Sequence, residues 1–263
     1  MLSSIGLLLL LLLSGSLFFV THNADGQNST TIATKTPDTH TSTPDAHSPT
    51  PATPSPSPTA TSEPTPQPLF IEDFADHAKD WYLNDRAGYT RTFANGQLVL
   101  QCTNQKRLIE SLPGSKTYDN FTITVTFTLQ TGDENDSVGL YLRGDSNLDH
   151  DYRLDIYGDT TYALSKESLG EDNLPENTPI VEPEHTSALN PMGKPNTLTV
   201  TMQGSTITLT INGQQVNTLT DTSYQQGQIA LFVNNGTTSG GVTASFSRID
   251  IYGLPPTPST PQK

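Results

Sequence analysis

The 263-residue chain carries a formal net charge of −14, and only 33% of it is hydrophobic. A surface this acidic repels phosphate backbones and anionic lipid, which argues against nucleic acid as a partner and leaves neutral glycans, cations or plain solubility. The one cysteine, Cys102, excludes an intrachain disulfide; its parity with Leu98 and Leu100 places it in a core.

Residues 1–20 come first. Ile5 to Val20 is almost wholly Leu, Phe, Ile and Val. With Leu2 to Ser4 it approaches the length of a helical membrane span. The small residues that signal cleavage prefers, Ser14-Gly15-Ser16, lie inside the apolar run, so this helix reads as an uncleaved signal anchor in preference to a signal peptide. Residues 21–68 hold 10 Pro, 13 Thr and 6 Ser, too little apolar matter to offset chain entropy, and read as a disordered stalk. Its Pro-rich second half favours semi-stiff polyproline II. Together these segments predict an extracytoplasmic domain, membrane-anchored or secreted.

From residue 69 the pattern changes. Phe121, Ile123, Val125, Phe127 and Leu129 alternate with Thr122, Thr124, Thr126 and Thr128, a strand with one dry and one wet face. Strands are predicted at Leu69 to Phe74, Tyr89 to Phe93, Gln97 to Thr103, Phe121 to Leu129, Ser137 to Arg143, Tyr152 to Tyr157 and Thr160 to Ser165. Others follow at Thr197 to Gln203, Thr206 to Ile211, Gln215 to Leu219, Gln228 to Val233 and Val242 to Tyr252. Asn95-Gly96 and Asn212-Gly213 are hairpin signals. In the last strand, inward parity passes from Val242, Ala244 and Phe246 to Ile249 and Ile251, which calls for a bulge near Ser247-Arg248. Glu171 to Asn196 reads as a long Pro-studded loop. The pattern predicts an all-β domain over 69–253, a two-sheet antiparallel jelly-roll sandwich, with a disordered tail at 254–263.

Several motifs resemble the concanavalin A-like lectin/glucanase sandwiches, above all laminin-G-like modules and bacterial 3-keto-disaccharide hydrolase-like domains. They are Glu72-Asp73-Phe74-Ala75-Asp76 with Trp81, the strand Val138 to Arg143, Tyr152 to Asp159, and the run Ile207 to Gly213. The resemblance implies the sandwich fold; that scaffold hosts lectins, hydrolases and adhesive modules alike. In laminarinase-type relatives Ca²⁺ sits between an acid before the first-strand Phe and an Asp in the last strand. Asp73 matches the first, and Ser247 stands at the second. Their catalytic pattern Glu-x-Asp-x-x-Glu begins at Glu134-Asn135-Asp136 but has Gly139 in its last place. With no catalytic pair, the sequence leans away from an enzyme.

Two constellations remain. If Val138, Leu140, Leu142, Leu154 and Ile156 face the core, then Tyr141, Arg143, Arg153, Asp155 and Tyr157 face outward. Tyrosine rings stack on sugar faces, and Arg and Asp hydrogen-bond hydroxyls, so these five make a candidate glycan patch; the alternative is a solvated face with cross-strand ion pairs. Asp145, Asn147 and Asp149 alternate oxygen ligands in a manner that suits Ca²⁺, although His150 and Ile156 occupy the places where an EF-hand needs Gly and Glu. The expectation is a non-catalytic, surface-displayed module that binds carbohydrate or a cell-envelope polymer. The alternatives are a 3-keto-disaccharide-type glycoside hydrolase or a protein-binding sensor or adhesive ectodomain.

Overall fold

A computed structural model describes residues 66–75, 81–236 and 240–255. The proposed signal anchor, almost all of the stalk and most of the tail lie outside these. No helix occurs among the described residues. Fourteen strands form in chain order: β1 (Gln67–Glu72), β2 (Tyr89–Ala94), β3 (Gln97–Cys102), β4 (Arg107–Ser111), β5 (Phe121–Thr131), β6 (Ser137–Gly144) and β7 (Asp151–Tyr157). They continue with β8 (Thr161–Leu169), β9 (Pro175–His185), β10 (Asn196–Gln203), β11 (Thr206–Ile211), β12 (Gln214–Thr220), β13 (Gln228–Asn234) and β14 (Val242–Gly253).

All pairings are antiparallel. The larger sheet runs β12-β11-β10-β5-β14-β3-β2, with β1 on β14, and the smaller runs β4-β13-β6-β7-β8-β9. Alternation drives this closure. The odd residues Phe121 to Leu129 are buried in the interior shared by both sheets, while the intervening threonines are half-buried outside. There Thr122, Thr124 and Thr126 hydrogen-bond to Thr201, Thr199 and Thr197 across the β5–β10 pair at 3.0, 3.1 and 3.4 Å.

The expected bulge lies in β14 between Phe246 and Arg248. It is also where β14 changes partner, from β3 before it to β1 after it, and the extra residue keeps Ile249 and Ile251 in the core. Asn95-Gly96 and Asn212-Gly213 adopt positive φ at both residues, the geometry a tight hairpin with native strand twist needs. The structure adds two strands that the sequence reading lacks. β4 was not expected, and β9 occupies the middle of the presumed Glu171 to Asn196 loop. These two are the edge strands of the smaller sheet.

Trp81 seals the sandwich near β1. It packs 5.5 Å from the Phe74 ring and donates its indole N–H to Glu72 Oε2 at 3.0 Å. Trp81→Phe, which keeps the ring and loses that bond, is expected to cost about 1 kcal/mol, read as a lower urea midpoint at unchanged slope.

Candidate functional site

The outer face of the smaller sheet is built by register. Ala230 of β13, Tyr141 of β6, Arg153 of β7 and Ser165 of β8 stand in one row across four strands. The next row holds Ile109, Phe232, Gly139, Asp155 and Ala163. On the other side Asp151 faces Glu167, which faces Asn177.

Tyr141, Phe232 and Ala230 form a small apolar floor separate from the main core, with Ile109 and Leu148 packed on it. The Tyr141 and Phe232 rings lie 5.2 Å apart. Gly139 makes this possible, because a Cβ there would lie 2.6 Å from the Phe232 ring and 1.9 Å from the Leu154 carbonyl oxygen.

Charge is layered over the floor. The Arg107 guanidinium lies 5.7 Å from both ring centroids, a cation–π arrangement. It donates to the Tyr141 hydroxyl and stands 3.4 Å from both Glu167 oxygens. Arg153 donates to the same Glu167 carboxylate and, at 2.6 Å, to Asp155 Oδ2. Ser137 donates to Asp155 Oδ1 at 2.7 Å. Glu167 thus bridges two arginines, and Asp155 is held fast beneath Arg153.

Asp151 stands out within this network. It is wholly buried, and neither carboxylate oxygen has a hydrogen-bond partner. Burial, and then the neighbouring Glu167 charge, push its pKa up to about 8, so the group is largely protonated at neutral pH. The Ser165 hydroxyl and Arg107 Nε are also buried without partners. Burial likewise pushes the Tyr141 phenol above its ordinary range.

Of the five residues predicted to share an outward patch, the structure brings together Tyr141, Arg153, Asp155 and Tyr157 and separates Arg143. Tyr141 is fully buried as floor, so it offers no open ring to a sugar. Arg143 has φ +53°, and the β6–β13 register slips beside it, between Gln228 and Ala230. These irregularities take the guanidinium off the patch. It donates to the carbonyls of Asp119 (3.1 and 2.5 Å), Gly204 (2.8 Å) and Tyr224 (3.0 Å), and the residue is only 1% exposed. Sequence reading missed Arg107 and Asn177 with their strands and Glu167 beyond a strand end set too early. Asp151 lies four residues before Asp155 and so on the same strand face, but with no further carboxylate two residues away along the strand the sequence gives that pair no catalytic role; the carboxylate beside it is Glu167, on the neighbouring strand.

The proposed calcium ligands belong to two separate segments. Asp73 caps the Ala75 amide at 3.1 Å beyond the end of β1. In the β6–β7 loop, Asp145 Oδ1 accepts the amides of Asn147 and Asp149, and its Oδ2 lies 3.2 Å from His150 Nδ1. The groups gathered there are Asp145, Asp149 and His150, within 4.8 Å of one another. His150 Nδ1 also lies 2.9 Å from Asp149 Oδ1, so the imidazole and the two carboxylates are partnered with one another. The loop has a clearer role as a cover: Leu148, at φ +57°, packs on the Tyr141–Phe232 floor.

The two-sheet antiparallel jelly-roll has the concanavalin A-like fold. Residues 67–251 match the 3-keto-alpha-glucoside-1,2-lyase-like domain, and the chain belongs to that family. No curated protein matches it by sequence. Among solved structures it resembles a galectin-like protein of unknown function from Bacillus subtilis (TM-score 0.54, 12% identity, 73% of this chain and 98% of that one). It also resembles the kappa-carrageenase of Pseudoalteromonas carrageenovora (0.53, 12%, 74% and 98%). A third likeness is to a Bacteroides ovatus family 16 glycoside hydrolase solved with a mixed-linkage glucan product (0.51, 14%, 70% and 99%). At these identities the likeness is one of fold.

Proposed function

We propose that the chain is a non-catalytic module that binds carbohydrate or a cell-envelope polymer on the outer face of the smaller sheet, displayed outside the membrane by its apolar N-terminus and stalk. One observation carries the reading: partnerless buried polar atoms of Asp151, Ser165 and Arg107 gathered around an aromatic floor. Unsatisfied buried polar groups are rare and costly, and their clustering on one face is what a ligand rich in hydroxyls would satisfy. Family membership and fold neighbours that act on or are seen with oligosaccharides support the same ligand class.

The test is a glycan array probed with the full chain, Glu167→Gln and the peripheral Asn177→Ala. Glu167→Gln removes the charge that orders Arg107 and Arg153, and is expected to weaken retention about tenfold or more. Asn177→Ala keeps the network and should weaken it less. Glycan retention unchanged in both variants, with circular dichroism showing both folded, would refute the site.

A catalytic reading has one observation in its favour. Asp151 and Glu167 are direct cross-strand partners, a spacing of about 5 Å between Cβ atoms, and burial beside the Glu167 charge makes Asp151 a proton holder at neutral pH. Asp151 is sealed from solvent, so this reading, like the binding one, needs the ligand to displace what covers it. Release of products from 3-keto-disaccharides by the full chain, lost in Asp151→Asn, would establish it over the binding reading.

A further inference from the structure

Beside the β4 edge of the outer face lies an open cleft of about 320 Å³. Its wall includes Tyr82, Asn84, Arg86, Tyr89, Arg91 and Arg107, and among the described residues no acid lines it. A chain of net charge −14 with six arginines has placed three of them here.

The wall is built from behind. Glu110, 3% exposed, takes Arg91 Nε at 2.5 Å through one oxygen and the Tyr82 amide at 3.2 Å through the other. Arg91 also donates Nη1 to the Asn84 carbonyl and Nη2 to the Ile109 carbonyl, each at 3.0 Å. A guanidinium has five N–H donors, so Arg91 is fixed in place with two of them still uncommitted. Arg107 adds its buried, partnerless Nε. The exposed Arg86 makes no ion pair among the described residues. Tyr82, 58% exposed, offers the open aromatic surface that the buried Tyr141 does not.

We propose that this cleft holds the acidic group of an anionic saccharide, a uronate carboxylate or a sulfate ester. This deepens the carbohydrate reading above and rests on it. Guanidinium forks match planar and tetrahedral oxyanions in bidentate fashion, a tyrosine face suits the sugar that carries the anion, and Arg107 joins the cleft to the outer face of the smaller sheet, where neighbouring sugars would lie. The surrounding negative charge disfavours polyanions at long range, so recognition here is short-range and local.

The experiment compares binding of the full chain to oligogalacturonate, to sulfated galactan oligosaccharides, to their neutral counterparts and to a single-stranded oligonucleotide. The expected result is a preference for an acidic glycan over its neutral counterpart, cut about tenfold by Arg86→Gln and by high salt, with neutral binding untouched by that variant. The two acidic arms decide between carboxylate and sulfate. Equal binding of acidic and neutral glycans, or indifference to Arg86→Gln, overturns the cleft and leaves the outer face standing. Equal retention of the oligonucleotide overturns the saccharide assignment, and failure of every glycan overturns both readings.

Discussion

Arg143→Met is expected to be among the most damaging single substitutions in the domain, lowering unfolding free energy by about 3–5 kcal/mol. A fully buried backbone carbonyl left without a donor costs about 1–3 kcal/mol; this side chain serves three part-buried ones and would itself leave a buried site. Those carbonyls belong to the segments before β5, after β10 and before β13, so one guanidinium ties together connections from both sheets. Methionine fills similar volume and offers no donor. Lysine keeps a charge, but its single ammonium lacks the planar fork that reaches three acceptors, and Arg143→Lys should recover only part of the loss. Urea denaturation measures both. A fall below about 1 kcal/mol in Arg143→Met would mean that water reaches the three carbonyls. Glycan retention per folded molecule should be unchanged in Arg143→Lys, because this arginine takes no part in the outer-face network.

Arg143 also shows where a sequence stops being readable. Period-two alternation assigned it to the face of Tyr141, and alternation holds only while the strand stays regular. A left-handed residue at the strand end, opposite a register slip, cancels it, and nothing local in Leu142-Arg143-Gly144 announces that outside the fold. The fold itself was legible because β5, β10, β11 and β14 each bury one face and alternate clearly; even the β14 bulge followed from the parity of five residues. The edge strands were not. β9 carries Pro175, Pro179 and Pro183 and is exposed along most of its length, so it has neither a ladder-competent composition nor a dry face to show. β4 spans five residues, of which alternation supplies only Leu108 and Glu110 as buried positions, and the second is an acid. Losing those strands cost the reading Arg107, the cation over the floor, and Asn177. Tyr141, Arg153, Asp155 and Tyr157 were found because they lie on the regular central strands β6 and β7.

The second large effect concerns Asp151, where substitution is expected to stabilise. Burial and the Glu167 charge raise its pKa from the ordinary carboxylate range to about 8. The sign follows from proton counting. Below about pH 4 both the folded and unfolded chains hold this proton, and Asp151 carries no penalty. As pH rises toward 8, the unfolded chain releases the proton while the folded chain keeps it, so folding loses stability throughout that window and the loss levels off above it. Asparagine has nearly the same shape and no proton to release. Asp151→Asn should therefore match the wild type near pH 4 and exceed it at pH 8 by an amount on the order of a few kcal/mol. Glu110, whose pKa burial also raises, tilts both proteins alike, so the difference between them isolates Asp151. Urea unfolding at pH 4, 6 and 8 reads the divergence; parallel curves would show that Asp151 is ionised in the fold. A residue that lowers stability at neutral pH with no partner for either oxygen has no structural reason to be retained there, and the two functional readings then separate on the same variant. If the outer face only binds, Asp151→Asn keeps most of its glycan retention, because an amide can still donate and accept at that position. If Asp151 delivers a proton to a leaving group, product release from 3-keto-disaccharides disappears while the protein becomes more stable.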